Sequence, residues 1–407
     1  MFSTLDVDVR PGSGVGMFDL GSSLWTVVDT VRRLQHAFPQ VDVKYDPDAS
    51  ATTPIILHLR PHVDLLFSGK HQRLHTICIR KLRDPNPPVT LRYKDTILSS
   101  SEEILRRVGV SRTFGPTYPG DDLRYPGLWF SFDEDVIGEG RKSARSSEDR
   151  MQEVKRVLVS QKGMDKEDDA LGEVIECPVM DGDISLALVK VHDGITLHFH
   201  PATSKPAHIK LGSTTAQDLN VILGPPLRKH YKEDDRMMIH STNPEVEGPE
   251  TSCHSSIDTL IAADFYNYFQ HGIDFLISGI DHKVKKIVLH SNVPGTPLFQ
   301  RYKRCNWEIE GKPEDDEDDT PPRKRFYDRF ETISHFLSPR QPAPSMLLDR
   351  TDDEDHITLP SSTTRRKPSK PCPGRFVDNI FPGVVYGYDG IILEVSESSQ
   401  VVSVTLF

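Results

Sequence analysis

The chain has 407 residues, of which 36% are hydrophobic and 27% charged, and its net charge at pH 7 is −11. This length allows two or three ordinary domains, or one array of smaller units that share a core, and the composition fits a folded body with polar insertions. The acidic balance argues against a general nucleic-acid binder, because non-specific affinity for the phosphate backbone depends on clustered Lys and Arg.

Cysteine usage indicates a reducing compartment, and hydropathy indicates that no segment spans a membrane. The five cysteines are far apart and none belongs to a CxxC pair, so the sequence indicates neither a disulfide framework nor a zinc site. No apolar run approaches the roughly eighteen residues that a membrane span needs. We therefore expect a cytosolic protein.

The first segment, residues 1–90, is predicted to hold a strand, a helix and further strands. Alternation of apolar and polar residues from Leu5 to Arg10 predicts the opening strand. An apolar stripe from Leu20 to Leu34 predicts an amphipathic helix capped near Ser22 or Ser23. Further strands are expected at 41–45, 55–59, 62–67 and 74–82.

The second segment, residues 91–205, repeats this order. Ser99 to Ser101 precede two glutamates and predict a helix that runs through Leu105 to Gly109. A strand at 125–132 is separated from its partner at 154–160 by a charged insertion, residues 133–150. More strands are expected at 174–175, 184–191 and 195–200.

The third segment, residues 206–310, shows the pattern most clearly. Thr214 and Gln217 have capping-box spacing, and Gly224 ends the predicted helix. After a loop at 242–256, a hairpin is expected with strands at 273–277 and 284–289, the first beginning after Gly272.

The fourth segment follows a linker at 311–325, whose acidic and basic runs are expected to stay solvated. Within 326–407, a helix with the apolar face Phe330, Ile333, Phe336 and Leu337 is predicted to stop at Pro339. A disordered insertion at 349–373 precedes a hairpin formed by 387–395 and 401–407. The sequence thus predicts an α+β fold of repeated units, each a short helix plus an antiparallel β-hairpin or strands, with polar disordered insertions.

Residues suited to catalysis or metal binding are few. His198 and His200 would project to one face of a strand and could share a metal, but the sequence places no third ligand beside them. There is no Gly-x-Ser-x-Gly elbow and no HExxH motif, and Cys253 and His254 are adjacent on an extended segment, where neighbouring side chains point apart. We predict no enzymatic activity, no cofactor and no metal.

Basic clusters are the remaining candidates. Lys283, Lys285 and Lys286 lie on the third hairpin, and Lys155 and Arg156 occupy the matching place in the second segment. Such clusters suit anionic lipid headgroups, each charge contributing on the order of 1 kcal/mol near a membrane. The alternative is that these lysines protect a soluble strand edge against aggregation.

Several motifs, in order along the chain, resemble the phagosome assembly factor family. They are Thr113 to Gly120, Leu128 to Phe132, Phe265 to Phe269, Gly272 to Phe275, Lys283 to Asn292 with Pro294 and Gly295, and Val401 to Leu406. The insertions at 133–150, 314–325 and 349–373 depart from the animal members.

The resemblance implies a non-enzymatic regulator of autophagy. Members of the family pair with a WD-repeat β-propeller protein, and the complex associates with phosphoinositide-bearing membrane where autophagosomes form. The expected location is therefore the cytoplasm, with recruitment to the pre-autophagosomal structure, and the expected membrane contact is indirect, through the partner. The family offers no catalytic residues to transfer to this sequence.

We hypothesise that the partner surface includes Phe265, Tyr266, Tyr268 and Phe269, because aromatic side chains with polar neighbours often anchor interfaces. The alternative is that these rings fill the core between helix and hairpin. Two other functions remain open. The chain could bind anionic lipid directly through Lys283, Lys285 and Lys286, or it could be an enzyme with an unrecognised site, for instance around His198 and His200.

Overall fold

The computed structural model describes residues 5–85, 88–117, 121–132, 150–162, 172–231, 264–311, 321–338, 343–348 and 383–407. These residues divide into two compact units. The first contains the described residues up to Gly182 together with Val293–Arg301, and the second contains Asp183–Asn292 and the described residues from Tyr302 onward. The insertions predicted at 242–256 and 349–373 lie outside the described residues, as does the insertion predicted at 133–150 except for its last residue.

The first unit contains two successive groups of short strands, a helix and an antiparallel meander. The first group consists of β1 (Leu5–Arg10), β2 (Gly14–Val15), β3 (Phe18–Asp19), α1 (Leu24–Arg33), β4 (Val41–Lys44), β5 (Ile55–Leu59), β6 (Val63–Phe67) and β7 (Leu74–Arg80). The second consists of β8 (Val89–Tyr93), β9 (Thr96–Ser99), α2 (Arg107–Phe114), β10 (Leu123–Tyr125), β11 (Leu128–Ser131) and β12 (Arg156–Ser160).

The second unit repeats this arrangement. Its first group consists of β13 (Ile184–Lys190), β14 (Gly194–Phe199), β15 (Ala207–Lys210), α3 (Ala216–Leu223), β16 (Arg228–Tyr231), β17 (Asp264–Tyr268), β18 (Ile273–Ile277) and β19 (Val284–His290). Its second consists of β20 (Trp307–Glu310), β21 (Arg323–Arg325), α4 (Phe330–Leu337), β22 (Ser345–Leu348), β23 (Gly383–Tyr388), β24 (Ile391–Val395) and β25 (Val401–Leu406).

Each unit pairs a small mixed sheet with a large antiparallel one. In the first unit the strand orders are β3-β2-β1-β8-β9 and β10-β11-β12-β7-β6-β5-β4. In the second they are β15-β14-β13-β20-β21 and β16-β17-β18-β19-β25-β24-β23-β22. The small sheets are joined by the parallel pairs β1–β8 and β13–β20, and the large ones by the antiparallel pairs β7–β12 and β19–β25. The two groups in a unit are therefore joined in both of its sheets.

Recurrence of the helix and meander is visible in the hydrogen bonds. The residue before each helix forms an isolated antiparallel bridge to a residue shortly before the last strand of its meander: Ser23 with Arg73, Arg106 with Glu153, Thr215 with Lys283, and Arg329 with Gln400. In three of these places the turn before the last strand also recurs, with a backbone N–H of Ser68, Ser278 or Ser396 donating to the carbonyl of Arg73, Lys283 or Gln400. The predicted fold class, repeated helix and strand units, is confirmed.

Local sequence explains the helices. Ser23 caps α1 by accepting a hydrogen bond from the Thr26 N–H at 3.1 Å, as predicted, and the apolar stripe of this helix is buried. In α3 the capping box is formed by Thr215 and Asp218 and not by Thr214 and Gln217, because Thr214 Oγ1 instead accepts from the Lys210 N–H at 2.8 Å. The helix at 330–337 begins and ends as predicted.

Three expectations are corrected. The helix predicted to follow Ser99–Ser101 and to end at Gly109 is instead Arg107–Phe114, because Ser100 Oγ caps only a turn and the Leu105 carbonyl pairs with the Val154 N–H. Residues 323–325, expected in a solvated linker, form β21, whose arginines pair with glutamates on the neighbouring strand β20. No strand forms at 174–175, where the Ile175 backbone bonds instead to the Gln161 side chain.

The division of the chain into segments at 1–90, 91–205, 206–310, 311–325 and 326–407 stays a prediction. None of the helices in the described ranges is both long and apolar enough to span a bilayer.

Candidate functional site

The aromatic segment predicted as a partner surface is strand β17, and its alternation divides the rings between two faces. Tyr268 is 0% exposed and Tyr266 9% exposed, both within the core of the second unit. Tyr268 Oη donates to the Gly224 carbonyl, 3.1 Å away, at the end of α3, and burial raises the pKa of this phenol to about 12. Tyr268 therefore fixes a helix end to the sheet.

The other two aromatic residues are half-buried. Phe269 contacts Tyr302, with ring centroids 5.0 Å apart. Phe265 lies on the face of β17 opposite Tyr266 and Tyr268, since successive side chains of a strand point to opposite faces. Burial thus favours the core alternative for the tyrosines, and the interface hypothesis stays a prediction that rests mainly on Phe265.

Strand register brings Phe265 and Lys286 into one row on the outer face of the large sheet. His230 pairs with Phe265, Phe265 with Leu276, and Leu276 with Lys286. We call these four residues the outer row. It combines an exposed imidazole, a half-buried aromatic ring, a buried aliphatic side chain and a half-buried basic side chain, and its exposed part has a composition suited to protein contact.

The remaining lysines of the predicted lipid patch lie beside this row. Lys285 is exposed at the β-bulge between β18 and β19, and half-buried Lys283 forms the bridge to the helix cap Thr215. Lys285 and Lys286 thus lie on β19, and Lys283 directly precedes this strand. Whether they bind lipid is a prediction that the fold leaves untested.

The histidine pair considered for metal binding lies on and just after β14, and both side chains are half-buried. Across the described ranges, no group of three or more His, Cys, Asp or Glu side chains has a geometry that could hold a metal ion. The described cysteines Cys78, Cys177 and Cys305 are unpaired, and burial raises the pKa of the Cys78 and Cys305 thiols to about 12. These two thiols are poor nucleophiles at neutral pH.

A buried polar cluster in the second unit was not predicted. Asp274 Oδ2 lies 2.6 Å from the Tyr302 hydroxyl and 2.9 Å from His290 Nε2, and the two rings stack at 3.6 Å. At the matching place in the first unit, Asp64 lies 2.7 Å from His58 Nδ1 and 2.9 Å from the Arg80 guanidinium. Asp64 and Asp274 thus occupy equivalent positions in the two large sheets, and each contacts two side chains. This geometry is that of a structural contact, and we call each carboxylate with its two partners a brace.

A second unpredicted feature is an open groove in the first unit with a volume of about 630 Å³. It is lined by residues 80–84, at and after the end of β7, and by residues 153–156, before and at the start of β12. Five of the nine lining residues are basic, namely Arg80, Lys81, Arg83, Lys155 and Arg156, and two are acidic. We call it the basic groove. The sequence had signalled Lys155 and Arg156, but not their proximity to residues 80–83.

Comparison with known proteins gives one family. The model of that family, described as phagosome assembly factor 1, matches residues 14–407. A PHAF1 protein of Arabidopsis thaliana is 27% identical over 98% of this chain and 92% of its own length. PHAF1 proteins of Drosophila melanogaster and Caenorhabditis elegans are 25% and 23% identical, over 99% and 98% of this chain and 94% and 92% of theirs. No solved structure matches the chain significantly.

Proposed function

We propose that this chain, which belongs to the phagosome assembly factor 1 family, is a non-enzymatic regulator of autophagy. In this proposal it is an adaptor that pairs with a WD-repeat β-propeller protein and is recruited from the cytoplasm to the site where autophagosomes form. The observation that carries the proposal is the family match, which runs from residue 14 to residue 407 and so includes all four helix and meander groups.

The outer row supports an adaptor role by offering a contact surface. Phe265 provides partly exposed apolar area and His230 and Lys286 provide polar groups in the same row, whereas Leu276 is only 7% exposed and adds little accessible surface. A central apolar patch with a polar rim is the usual arrangement of a protein interface. Membrane association, in this proposal, is indirect and comes through the propeller partner.

Affinity purification of the tagged full-length chain tests the proposal. We expect a WD-repeat propeller protein to co-elute, and more of it after autophagy is induced. Replacing Phe265 by Ser should reduce co-elution while leaving the melting temperature nearly unchanged, because this side chain lies outside the core. Val221→Ser is the matched control, since Val221 is an 82% exposed apolar residue on α3, away from the row. Absence of any propeller protein from the wild-type eluate contradicts the proposal.

A second candidate function is direct binding of anionic lipid. It is favoured by the position of Lys283, Lys285 and Lys286 along one strand, with Lys285 exposed. Flotation of the purified chain with phosphoinositide vesicles separates the two functions. An adaptor that reaches membrane only through its partner stays in solution, whereas a lipid-binding module floats and loses flotation when these lysines are replaced by Gln.

A further inference from the structure

The two units differ in structure where the two joining strands of the large sheet meet, at the ends of β7 and β19. Aligning them on their helix-cap bridges superposes Arg80 on His290, and the backbone confirms the match: the N–H of Arg80 donates to the His62 carbonyl, as the N–H of His290 does to that of Gly272. The same alignment places Lys81 on Ser291. The other joining strand matches in the same way, with Lys155 at the position of Val402 and Arg156 at that of Ser403.

In the second unit the chain itself fills this place. The N–H of Ser291 donates to the Val402 carbonyl at 2.9 Å, so the strand pairing continues beyond His290. The buried Arg304 side chain then donates to the Ser291 carbonyl at 2.8 Å, and the Trp307 indole donates to Ser291 Oγ at 3.0 Å. Arg304 lies in the connection between β19 and β20, and Trp307 is the first residue of β20. This connection is about twice as long as that between β7 and β8.

In the first unit the place is open and positively charged. The chain turns away at Lys81, whose φ of 51° is left-handed, so Lys81 is exposed where Ser291 is buried. Lys155 is half-buried where Val402 is in the interior. The position that the chain itself fills in the second unit is thus the open basic groove in the first.

Two carboxylates pair with basic residues of the groove. Glu153 pairs with Arg83 and, at 3.6 Å, with Lys155, and Asp64 pairs with Arg80. The lining still holds five basic residues against two acidic ones, in a chain whose net charge is −11. Clustered Arg and Lys suit phosphate, since guanidinium groups bind its oxygens in pairs and ammonium groups add point charge.

We propose that the basic groove binds a small molecule that carries two or more phosphate groups. Its volume of about 630 Å³ is in the range of small-ligand sites, and five basic residues clustered in its lining suit an anion that carries more than one charge. This chemistry is shared by soluble inositol phosphates and by phosphoinositide headgroups. The proposal does not depend on the adaptor function, because the groove and the outer row are separate features.

The test measures binding of inositol trisphosphate to the full-length chain by calorimetry. The variant combines Lys155→Gln, which keeps most of the side-chain stem, with Lys81→Asn, because Asn tolerates the left-handed backbone. We expect the dissociation constant of the variant to be about tenfold or more above that of the wild type. We also expect the wild-type dissociation constant to rise with added salt. The matched control is Lys44→Gln with Lys205→Gln, two exposed lysines outside both the groove and the lysine patch on β19, which removes the same charge and should leave binding unchanged.

Vesicles distinguish the source of the phosphates. Flotation with phosphatidylcholine vesicles that contain phosphatidylinositol bisphosphate, lost in the groove variant and retained in the control, assigns the groove to a lipid headgroup. Calorimetric binding without flotation assigns it to a soluble ligand. The proposal is overturned if the wild type binds neither probe, if the control pair weakens binding as much as the groove pair, or if an acidic hexapeptide binds more tightly than inositol trisphosphate. Should the double variant lower the melting temperature, Lys155→Gln alone takes its place with the same comparison.

Discussion

The two units contain the same brace, a carboxylate on the second-last strand of a meander, but surround it differently. In the first unit Asp64 keeps some exposure and is paired with Arg80 and His58. In the second unit Asp274 is buried and meets Tyr302 and His290. The surroundings differ because the longer connection after β19 returns over the sheet, whereas the shorter one after β7 leaves an open, charged groove. The end of the meander is thus buried in the second unit, whereas in the first unit it presents charged side chains to solvent.

The strands β8 and β20, which join the two groups in the small sheets, begin with residues of very different size, Val89 and Trp307. The hydrogen bonds that place Val89 on Trp307 are Leu5 N–H to the Pro88 carbonyl and Ala187 N–H to the Asn306 carbonyl. Trp307→Ala should lower the free energy of unfolding by about 3–5 kcal/mol, and Val89→Ala by about 2 kcal/mol, because the cost follows the buried volume that is removed. Hydrogen exchange of peptides from each unit measures both, and a larger loss for Val89→Ala would contradict the comparison.

Removing the carboxylates compares the two braces directly. Asp274→Ala should cost about 3 kcal/mol, since it leaves two fully buried polar partners unsatisfied, whereas Asp64→Ala should cost about 1–2 kcal/mol because water can reach its partners. Urea unfolding monitored by hydrogen exchange in the corresponding unit gives both values. Equal losses would show that the difference in burial has no energetic consequence.

Acid should weaken the second unit more than the first. Burial, followed by the nearby charge of Lys303, lowers the pKa of His271 from 6.5 to about 4, whereas the matching residue in the first unit is Pro61. A lowered histidine pKa means that the unfolded chain binds the proton first, so stability present above about pH 6.5 is lost as the pH falls toward about 4. His271→Asn should flatten this dependence, as measured by unfolding of the second unit between these values. An unchanged slope in the variant would assign the acid sensitivity to other groups.

The smallest expected effect concerns the helix end fixed by Tyr268. Tyr268→Phe keeps the ring in the core and removes only the hydrogen bond to the Gly224 carbonyl, so we expect a loss of about 1 kcal/mol. Tyr268→Ser also removes the ring and should cost several times more, about 3–5 kcal/mol. Thermal unfolding of both variants separates the two contributions, and similar losses would mean that the ring adds little to the core.

Local pattern was enough to predict much of the fold. The apolar stripe of α1, the face of α4 and the alternation of β18 and β19 each identify an element from neighbouring residues alone, because helix and strand periodicities are local properties. Similarity between the third segment and the others likewise indicated the repeat. Errors arose where one residue had two possible partners, as when Ser100 caps a turn instead of a helix.

The sequence alone determined the class of fold, the short helices and the aromatic and basic residues from which a binding surface could be made. Only the tertiary structure decided which of them face outward, since Tyr268 and Phe265 differ by their side of one strand. It also decided that residues 80–83 meet residues 153–156, about seventy positions apart, because β7 and β12 pair in one sheet. Pairing between distant strands depends on the whole chain, and no local pattern encodes it.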